Sequence, residues 1–489
     1  MGIVRSQSIK NSLSFYIGMI IGALNTVIIY PNAFHDNPEY FGLIQIIIAY
    51  GVIISAFTSL STPQIFLRFF PSINQKGQLY LISFVLPFLG FIIFVLLFSL
   101  FKSQIFDILN ADNLLKENFY YIIILVFCIS FYNVFTSISR SYLDATTPIL
   151  INEIFLKIYC CIMLLLHWFD YITFTQFLKF YFFGFITKFL ILLFIQLYYK
   201  RISLSFTISS LKPKKMLKFG LYVLLSGVSV ILVTRLDMIM IGALLDLEQV
   251  AFYTVAFFIG NAIKVPGRSV FSISAPLIAK AWEEKDMRKI NDLYTKSSIN
   301  QLIIGGVFLL CIWTNIDDIF SLLPEKFQGG KWVVLYIGLS QLFHMANGLN
   351  GAIIVNSRYY RYDLYTNILL VFLTIVTNYL FIKSLNFGIN GAAIATAIAV
   401  FIFNSVRFLV IKKYLNMNPF TIKTIYTLIV FLFILLVTSF IPKTGVVIFD
   451  IILFSLIVIL LFLPFLFKLS LSEDMIKLLY DFRNKLKIN

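Results

Sequence analysis

The stretch "LYLISFVLPFLGFIIFVLLFSLF", Leu79–Phe101, holds no charged residue, and the nearest charges on either side are Lys76 and Lys102. About 20 such residues, wound as an α-helix, cross the hydrocarbon of a bilayer. An open strand would leave its backbone N–H and C=O groups unpaired in lipid, so helix is the reading. The pattern recurs along the whole chain. Of the 489 residues, 60% are hydrophobic and only 13% are charged, with mean hydropathy +0.91, against roughly 25% charged residues in soluble domains. The sequence is that of an all-α polytopic membrane protein.

Fourteen apolar segments are expected to span: 12–30, 40–62, 79–101, 118–138, 147–167, 175–197, 217–243, 249–272, 299–322, 332–356, 364–383, 388–411, 422–441 and 447–467. They are numbered here as spans 1 to 14. The formal net charge of +16 would suggest nucleic acid in a soluble protein. Here it follows from basic loops, and no nucleic-acid partner is expected. With the N-terminus in the cytoplasm, 28 of the 39 Lys and Arg residues fall in inside segments, 6 fall in outside segments, and five lie within spans. The positive-inside bias supports that orientation, an even number of spans and cytoplasmic termini.

Two inside segments stand apart. "RISLSFTISSLKPKK", Arg201–Lys215, reads as a linker between two lobes. "AWEEKDMRKINDLYTKSS", Ala281–Ser298, reads as a charged cytoplasmic helix joining spans 8 and 9. The expected domains are an N-terminal lobe at 1–199, a linker at 200–216, a C-terminal lobe at 217–413, spans 13 and 14 at 414–468, and a cytoplasmic tail at 469–489. The tail carries acidic residues first, basic residues last, and an apolar stripe at Ile476, Leu479 and Phe482. It is expected to lie along the inner surface, with a solvated tail as the alternative. "SRSYLDATTPIL" from Ser139 and "SRYYRYDLYTNIL" from Ser357 share Ser-Arg-x-Tyr six spans apart, a short sign of two parallel halves.

Ionisable groups inside spans are costly and face a cavity or a partner. The basic ones are Lys157, Lys179, Lys188, Arg235 and Lys264, and the acidic ones are Glu153 and Asp237. Glu153 and Lys157 are spaced as an intrahelical pair. Lys179 lies near the outer end of span 6 and can snorkel. Lys188 has no acidic residue within four positions, so it needs water, a partner on another helix, or a ligand. Lys264 precedes Pro266 and Gly267, which points to a bend in span 8. Arg235 and Asp237 are two apart and point in different directions, so they need separate partners. Arg235 is expected to be an anion contact or half of an interhelical pair, and Asp237 a structural or gating partner. Two uncharged polar stripes, Ser130, Asn133 and Ser137 on span 4 and Gln341, His344, Asn347 and Gly348 on span 10, are either interhelical glue or cavity wall.

Other chemistry is not signalled. The four cysteines lie in apolar runs without ligand spacing, and the three histidines are scattered. No cofactor, metal or catalytic residue is expected. Met1-Gly2-Ile3-Val4-Arg5-Ser6 matches a myristoylation pattern formally, but one acyl chain adds little to a spanning chain. Short outer loops, with no Gly-rich phosphate loop and no carboxylate pair in a polar loop, argue against a membrane glycosyltransferase, polymerase or ligase.

The order of these features resembles a family. "FGINGAAIATAIAV", Phe387–Val400, nine residues after Asn378, resembles a segment of the multidrug/oligosaccharidyl-lipid/polysaccharide exporter superfamily. "DMIMIG" followed by "VAFYTVA", within Asp237–Ala256, resembles another, with Phe252 where the family has glycine. "MGIVRSQSIKNSLSFYIGMIIGALN", "NPEYFGLIQI" and "NSRYYRYDLYTNI" are similar to the polysaccharide-transport branch, the O-antigen flippases. The resemblance implies two six-helix lobes in a V plus two C-terminal helices. It also implies a flippase for an undecaprenyl-diphosphate-linked oligosaccharide of O-antigen, capsule or exopolysaccharide synthesis, working by alternating access in the bacterial inner membrane. Membrane lipids, coupling to H+ or Na+, a glycan polymerase complex and a monomeric form belong to the same expectation. A multidrug or amphipathic-solute exporter of the same fold is the alternative. A scaffold in a glycan-assembly complex is a further one.

Multidrug exporters of this fold commonly place a carboxylate in the first helix. Span 1 has no charge between Ser12 and Tyr30. The embedded cations outnumber the carboxylates, which suits a diphosphate. The expected cationic contacts are Lys188, Arg235, Lys264 and Lys157, with Asn133, Gln341, His344 and Asn347 as polar lining and Glu153 and Asp237 as ion-pair or gating groups. Reporter fusions test the orientation: a reporter within Ala281–Ser298 should be active only in its cytoplasmic form, and one at Lys443 only in its external form.

Overall fold

The structure is a computed structural model that describes residues 2–73, 76–202 and 213–486. Most of the proposed linker, residues 203–212, lies outside the described residues, as do the side chains of Arg268 and Phe482. The described chain is helical, with no strand among its elements. Among the described residues, thirteen helices are long and apolar enough to cross a membrane, beginning with Leu13–Ala33, Pro38–Thr58, Lys76–Ile108 and Tyr120–Ser141. Spans 5 to 9 are Thr146–Trp168, Phe174–Tyr198, Lys218–Leu244, Leu247–Gly267 and Met287–Thr314. Spans 11 to 14 are Arg361–Ser384, Gly388–Leu415, Ile422–Ser439 and Val447–Lys468.

Span 10 is present but broken into Lys331–Ala346 and Asn350–Asn356. Gly348 adopts φ +58° at the break, a conformation that L side chains rarely hold. The carbonyl of Ala346 is satisfied by the Ser298 hydroxyl at 2.5 Å. Span 8 also breaks, at a short 3-10 turn Ala262–Lys264, just ahead of Pro266 in the helix Val265–Glu283. That helix and Met287–Thr314 divide the charged stretch 281–298 between them, so it is not a separate cytoplasmic helix as expected. Lys285, at φ +56°, makes the turn, and Asp286 caps the next helix by accepting from the Lys289 N–H at 2.9 Å.

The chain divides into two compact units, Met1–Thr254 and Val255–Asn489. In the first, spans 2, 4 and 7 pack together, and glycines set the closest approaches to their neighbours. A Cβ on Gly42 would sit 1.8 Å from the Leu247 carbonyl oxygen, and one on Gly90 would sit 2.3 Å from that of Thr58. A buried cluster containing Phe66, Tyr80, Phe135, Ile138 and Leu192 fills the same unit. In the second, spans 9, 10, 13 and 14 bury Leu302, Ile303, Phe431, Val458 and Phe462. Long apolar side chains such as Leu97, Leu432 and Leu460 stay exposed, as lipid-facing surface requires.

Span 2 ends in an unusual break. Leu60 and Ser61 both take positive φ, 46° and 55°, between Pro38–Thr58 and the helix Thr62–Phe69. The new helix restarts with Pro63 in its first turn, and the Thr62 N–H and hydroxyl both donate to the Ser59 carbonyl, at 2.9 and 2.7 Å. Gly42→Ala should lower the unfolding temperature clearly, because its added carbon meets backbone. Gly227→Ala, whose Cβ would meet nothing within 4 Å, should match or exceed wild type, since alanine gains about 0.5–1 kcal/mol in a helix. Thermal unfolding of the purified variants makes the comparison.

Candidate functional site

In the first unit three of the embedded charges, Glu153, Lys157 and Lys188, form one network across four spans. Lys157 Nζ pairs with Glu153 Oε2 at 2.8 Å and donates to the Gly18 carbonyl on span 1 at 2.9 Å. The other carboxylate oxygen of Glu153 accepts from Asn152 Nδ2 at 2.9 Å. Asn152 Oδ1 in turn accepts from Lys188 Nζ on span 6 at 2.8 Å. The Lys188 ammonium also lies 4.4 Å from the Tyr132 ring centroid on span 4 and 5.2 Å from that of Phe185, contacts worth about 0.5–2 kcal/mol. One carboxylate thus serves two ammonium groups, one directly and one through a carboxamide, and the network keeps a positive surplus. Lys188 is buried, with 5% of its surface exposed.

Local backbone makes this geometry. Residues Ile151–Phe155 form a π-helical turn, as do Leu24–Ile29 on span 1, and such turns re-aim side chains at functional sites. Gly18 and Gly22 lie on the face of span 1 toward span 5: a Cβ on Gly18 would be 2.6 Å from the Glu153 carbonyl, and one on Gly22 3.6 Å from Lys157 Nζ. "GMIIG", Gly18–Gly22, is a small-x-x-x-small pattern that permits this approach.

A second feature of the same unit is a cavity of about 320 Å³ between spans 2, 4 and 7 and the helix Thr62–Phe69. Its polar lining comes from Ser55, Ser59, Ser61, Gln64, Asn133, Thr136 and Ser137, and Arg140 is the only charged residue in the lining among the described residues. Thr136 Oγ1 is buried and makes no hydrogen bond to any described residue. The span 4 stripe therefore divides. Asn133 and Ser137 face the cavity, while Ser130 bonds across to span 2, 2.8 Å from the Thr58 hydroxyl.

Arg235 and Asp237 do not pair with each other. Asp237 is buried and accepts from the Tyr253 hydroxyl at 2.8 Å. Arg235 is half-buried and makes no salt bridge among the described residues. Lys179 is exposed.

In the second unit His344 Nδ1 lies 3.1 Å from Asn404 Oδ1, which also accepts from Asn350 Nδ2 at 3.2 Å. Gln341 is buried, and Asn347 donates to the Phe343 carbonyl at the break in span 10. Lys264 belongs to the 3-10 turn of span 8. Sequence reasoning misses the strongest interaction here. Arg407 is buried in span 12, where it bonds Asp363 at 2.5 Å, Thr366 at 3.0 Å and Asn367 at 3.1 Å. The charge count groups it with the inside segment that follows, although it already lies within the expected span 12, 388–411, and the helix runs on to Leu415. The first unit holds a matching bridge, Arg201–Asp144 at 3.0 Å. In both, the aspartate lies at the start of the segment that follows Ser-Arg-x-Tyr, and the arginine comes from the sixth span of the half or the residues just after it. That shared tetrapeptide is the available signal.

No known family profile and no curated protein matches the chain. Solved structures do. A lipid II flippase, MurJ, in an inward closed conformation superposes with TM-score 0.72 over 94% of this chain and 100% of that one, at 16% identity. The fold is shared with such transporters. An inward-facing multidrug resistance MATE family transporter of the MOP superfamily gives TM-score 0.61, covering 81% of this chain and 93% of its own, at 15% identity. A point mutant of the Vibrio cholerae MATE transporter VcmN gives 0.56, over 85% and 98%, at 14% identity. These are likenesses of fold between multi-pass helical membrane proteins.

The buried Arg407–Asp363 bridge yields a stability test. Asp363→Ala should destabilise the purified protein by about 3–5 kcal/mol, because it leaves a guanidinium buried and uncompensated. Adding Arg407→Met should recover most of that loss, as read by the shift in unfolding temperature.

Proposed function

We propose that the protein is a flippase that moves an undecaprenyl-diphosphate-linked oligosaccharide across the bacterial inner membrane for surface polysaccharide synthesis. The carrying observation is the cavity lining: hydroxyls and carboxamides, with Arg140 as its one charged residue and no carboxylate among the described residues. Hydroxyls and amides match a sugar, and a guanidinium matches a phosphate bidentately. With the termini in the cytoplasm, Arg140 and the broken end of span 2 sit toward the cytoplasmic face, where such a precursor would be loaded. Within the same unit the Glu153–Lys157–Lys188 network keeps a positive surplus, and Arg235 adds a further positive charge in a low-dielectric setting. The alternating parts would be the two lobes expected at 1–199 and 217–413, although span 7 packs on span 2 within one compact unit. The likeness to the lipid II flippase supports the substrate class, and a single chain would suffice as the working unit.

An exporter of amphipathic solutes has the same fold. A cavity lining and a first span both without carboxylates among the described residues speak against cationic drugs. Deleting the gene should abolish surface polysaccharide and cause its lipid-linked precursor to accumulate, with drug sensitivity unchanged. Arg140→Ala should reduce surface glycan about tenfold, the effect of losing roughly 1.4 kcal/mol of binding, while membrane insertion is unaltered. Altered drug sensitivity with intact glycan would favour the exporter. Failure of purified protein to move lipid-linked substrate in vesicles would favour a scaffold.

A further inference from the structure

We propose that the Lys157 ammonium occupies a monovalent-cation site between spans 1 and 5, so that the chain supplies its own cation at this position. The observation is the coordination of the ammonium. It is held by one carboxylate oxygen of Glu153 at 2.8 Å and by the backbone carbonyl of Gly18 at 2.9 Å, oxygens from two different helices. A main-chain carbonyl in a membrane helix accepts from its own helix, and its remaining lone pair here turns to a positive charge from outside. Gly18 and Gly22 leave the room for it. One turn beyond, Asn25 is buried, with Nδ2 on the Lys157 carbonyl at 3.1 Å and Oδ1 without a hydrogen bond among the described residues. Both spans carry their π-helical turn here.

Charge supports the assignment. Span 1 brings no ionisable group between Ser12 and Tyr30 except the hydroxyl of Tyr16. Span 5 brings Glu153 and Lys157, and span 6 brings Lys188, which reaches Glu153 only through Asn152. Without Lys157, Glu153 loses its direct counter-charge in a setting where an unpaired carboxylate is costly. The vacated space keeps its oxygens and admits a small cation. The inference does not depend on which substrate is carried.

The test is thermal unfolding of purified protein in NaCl, LiCl, KCl or choline chloride at equal ionic strength. Lys157→Ala should be stabilised by Na+ or Li+ over choline, saturably, by on the order of 5 °C. Wild type should show no such preference. Lys157→Met, which fills the space without charge, should show none either, and adding Glu153→Gln to Lys157→Ala should abolish the response. An equal response in Lys157→Ala and Lys157→Met, or none in Lys157→Ala, overturns the proposal. Should Lys157→Ala fail to fold, wild type and Lys157→Met decide it: a Na+-specific shift in either one overturns the proposal, because the site would then take its cation from solution with the ammonium or its stand-in still in place, and the absence of a shift in both is the expected result.

Discussion

Lipid offers no hydrogen bonds to the backbone, and every feature of this chain is arranged around that constraint. Regular helix meets it without help. Each departure from regular helix therefore has to bring its own partner, and the structure shows them. The break in span 10 lends the Ala346 carbonyl to Ser298. The end of span 2 closes its turn through Ser59 and Thr62. The π-helical turns of spans 1 and 5 lie where their side chains cross-link the two helices. At the end of span 2 and the break of span 10 the irregular backbone thus finds its partners inside the protein, whereas the π-helical turn Tyr379–Ser384 at the end of span 11 stays largely exposed.

The same economy governs charge. Glu153 is neutralised twice over, and Arg407 is enclosed by a carboxylate, a hydroxyl and a carboxamide. These groups bind helices to each other inside each unit. The cavity differs in kind, because its hydroxyls and amides are arranged around space, and its arginine has no carboxylate beside it among the described lining residues. The contrast separates charges that hold the protein together from groups left available to something else.

Much of the architecture is legible in the residues alone. Apolar runs mark the spans, because a helix in lipid must be apolar over its whole length. The Glu153–Lys157 pair follows from spacing alone, and so does the divergence of Arg235 and Asp237. Arg407 escapes because it stands near Lys412 and Lys413 and is counted with them as a basic inside group, although it lies within the expected span 388–411 and only its partners on span 11 mark it as buried. Lys188 declares its need for a partner or a ligand, but a neutral asparagine on another span has no pattern to announce it. The cavity is half visible: Asn133 and Ser137 lie on a stripe, whereas Ser59, Ser61 and Gln64 join it only because span 2 breaks. Gly18 and Gly22 stand in plain view in a chain with 23 glycines, and only the approach of Glu153 and Lys157 distinguishes them.

The left-handed pair at Leu60 and Ser61 has a mechanical consequence. Neither residue favours that conformation, and each costs on the order of 1–2 kcal/mol. Local preference would straighten this segment, so the packing around it must supply the difference. The Thr58 backbone seated against Gly90 and the buried Phe66 ring just beyond are what hold it bent. Three of the cavity's polar groups, Ser59, Ser61 and Gln64, ride on this bent piece. The wall of the cavity is therefore a loaded spring clamped by the core, and its shape is set by contacts that never touch the space it encloses.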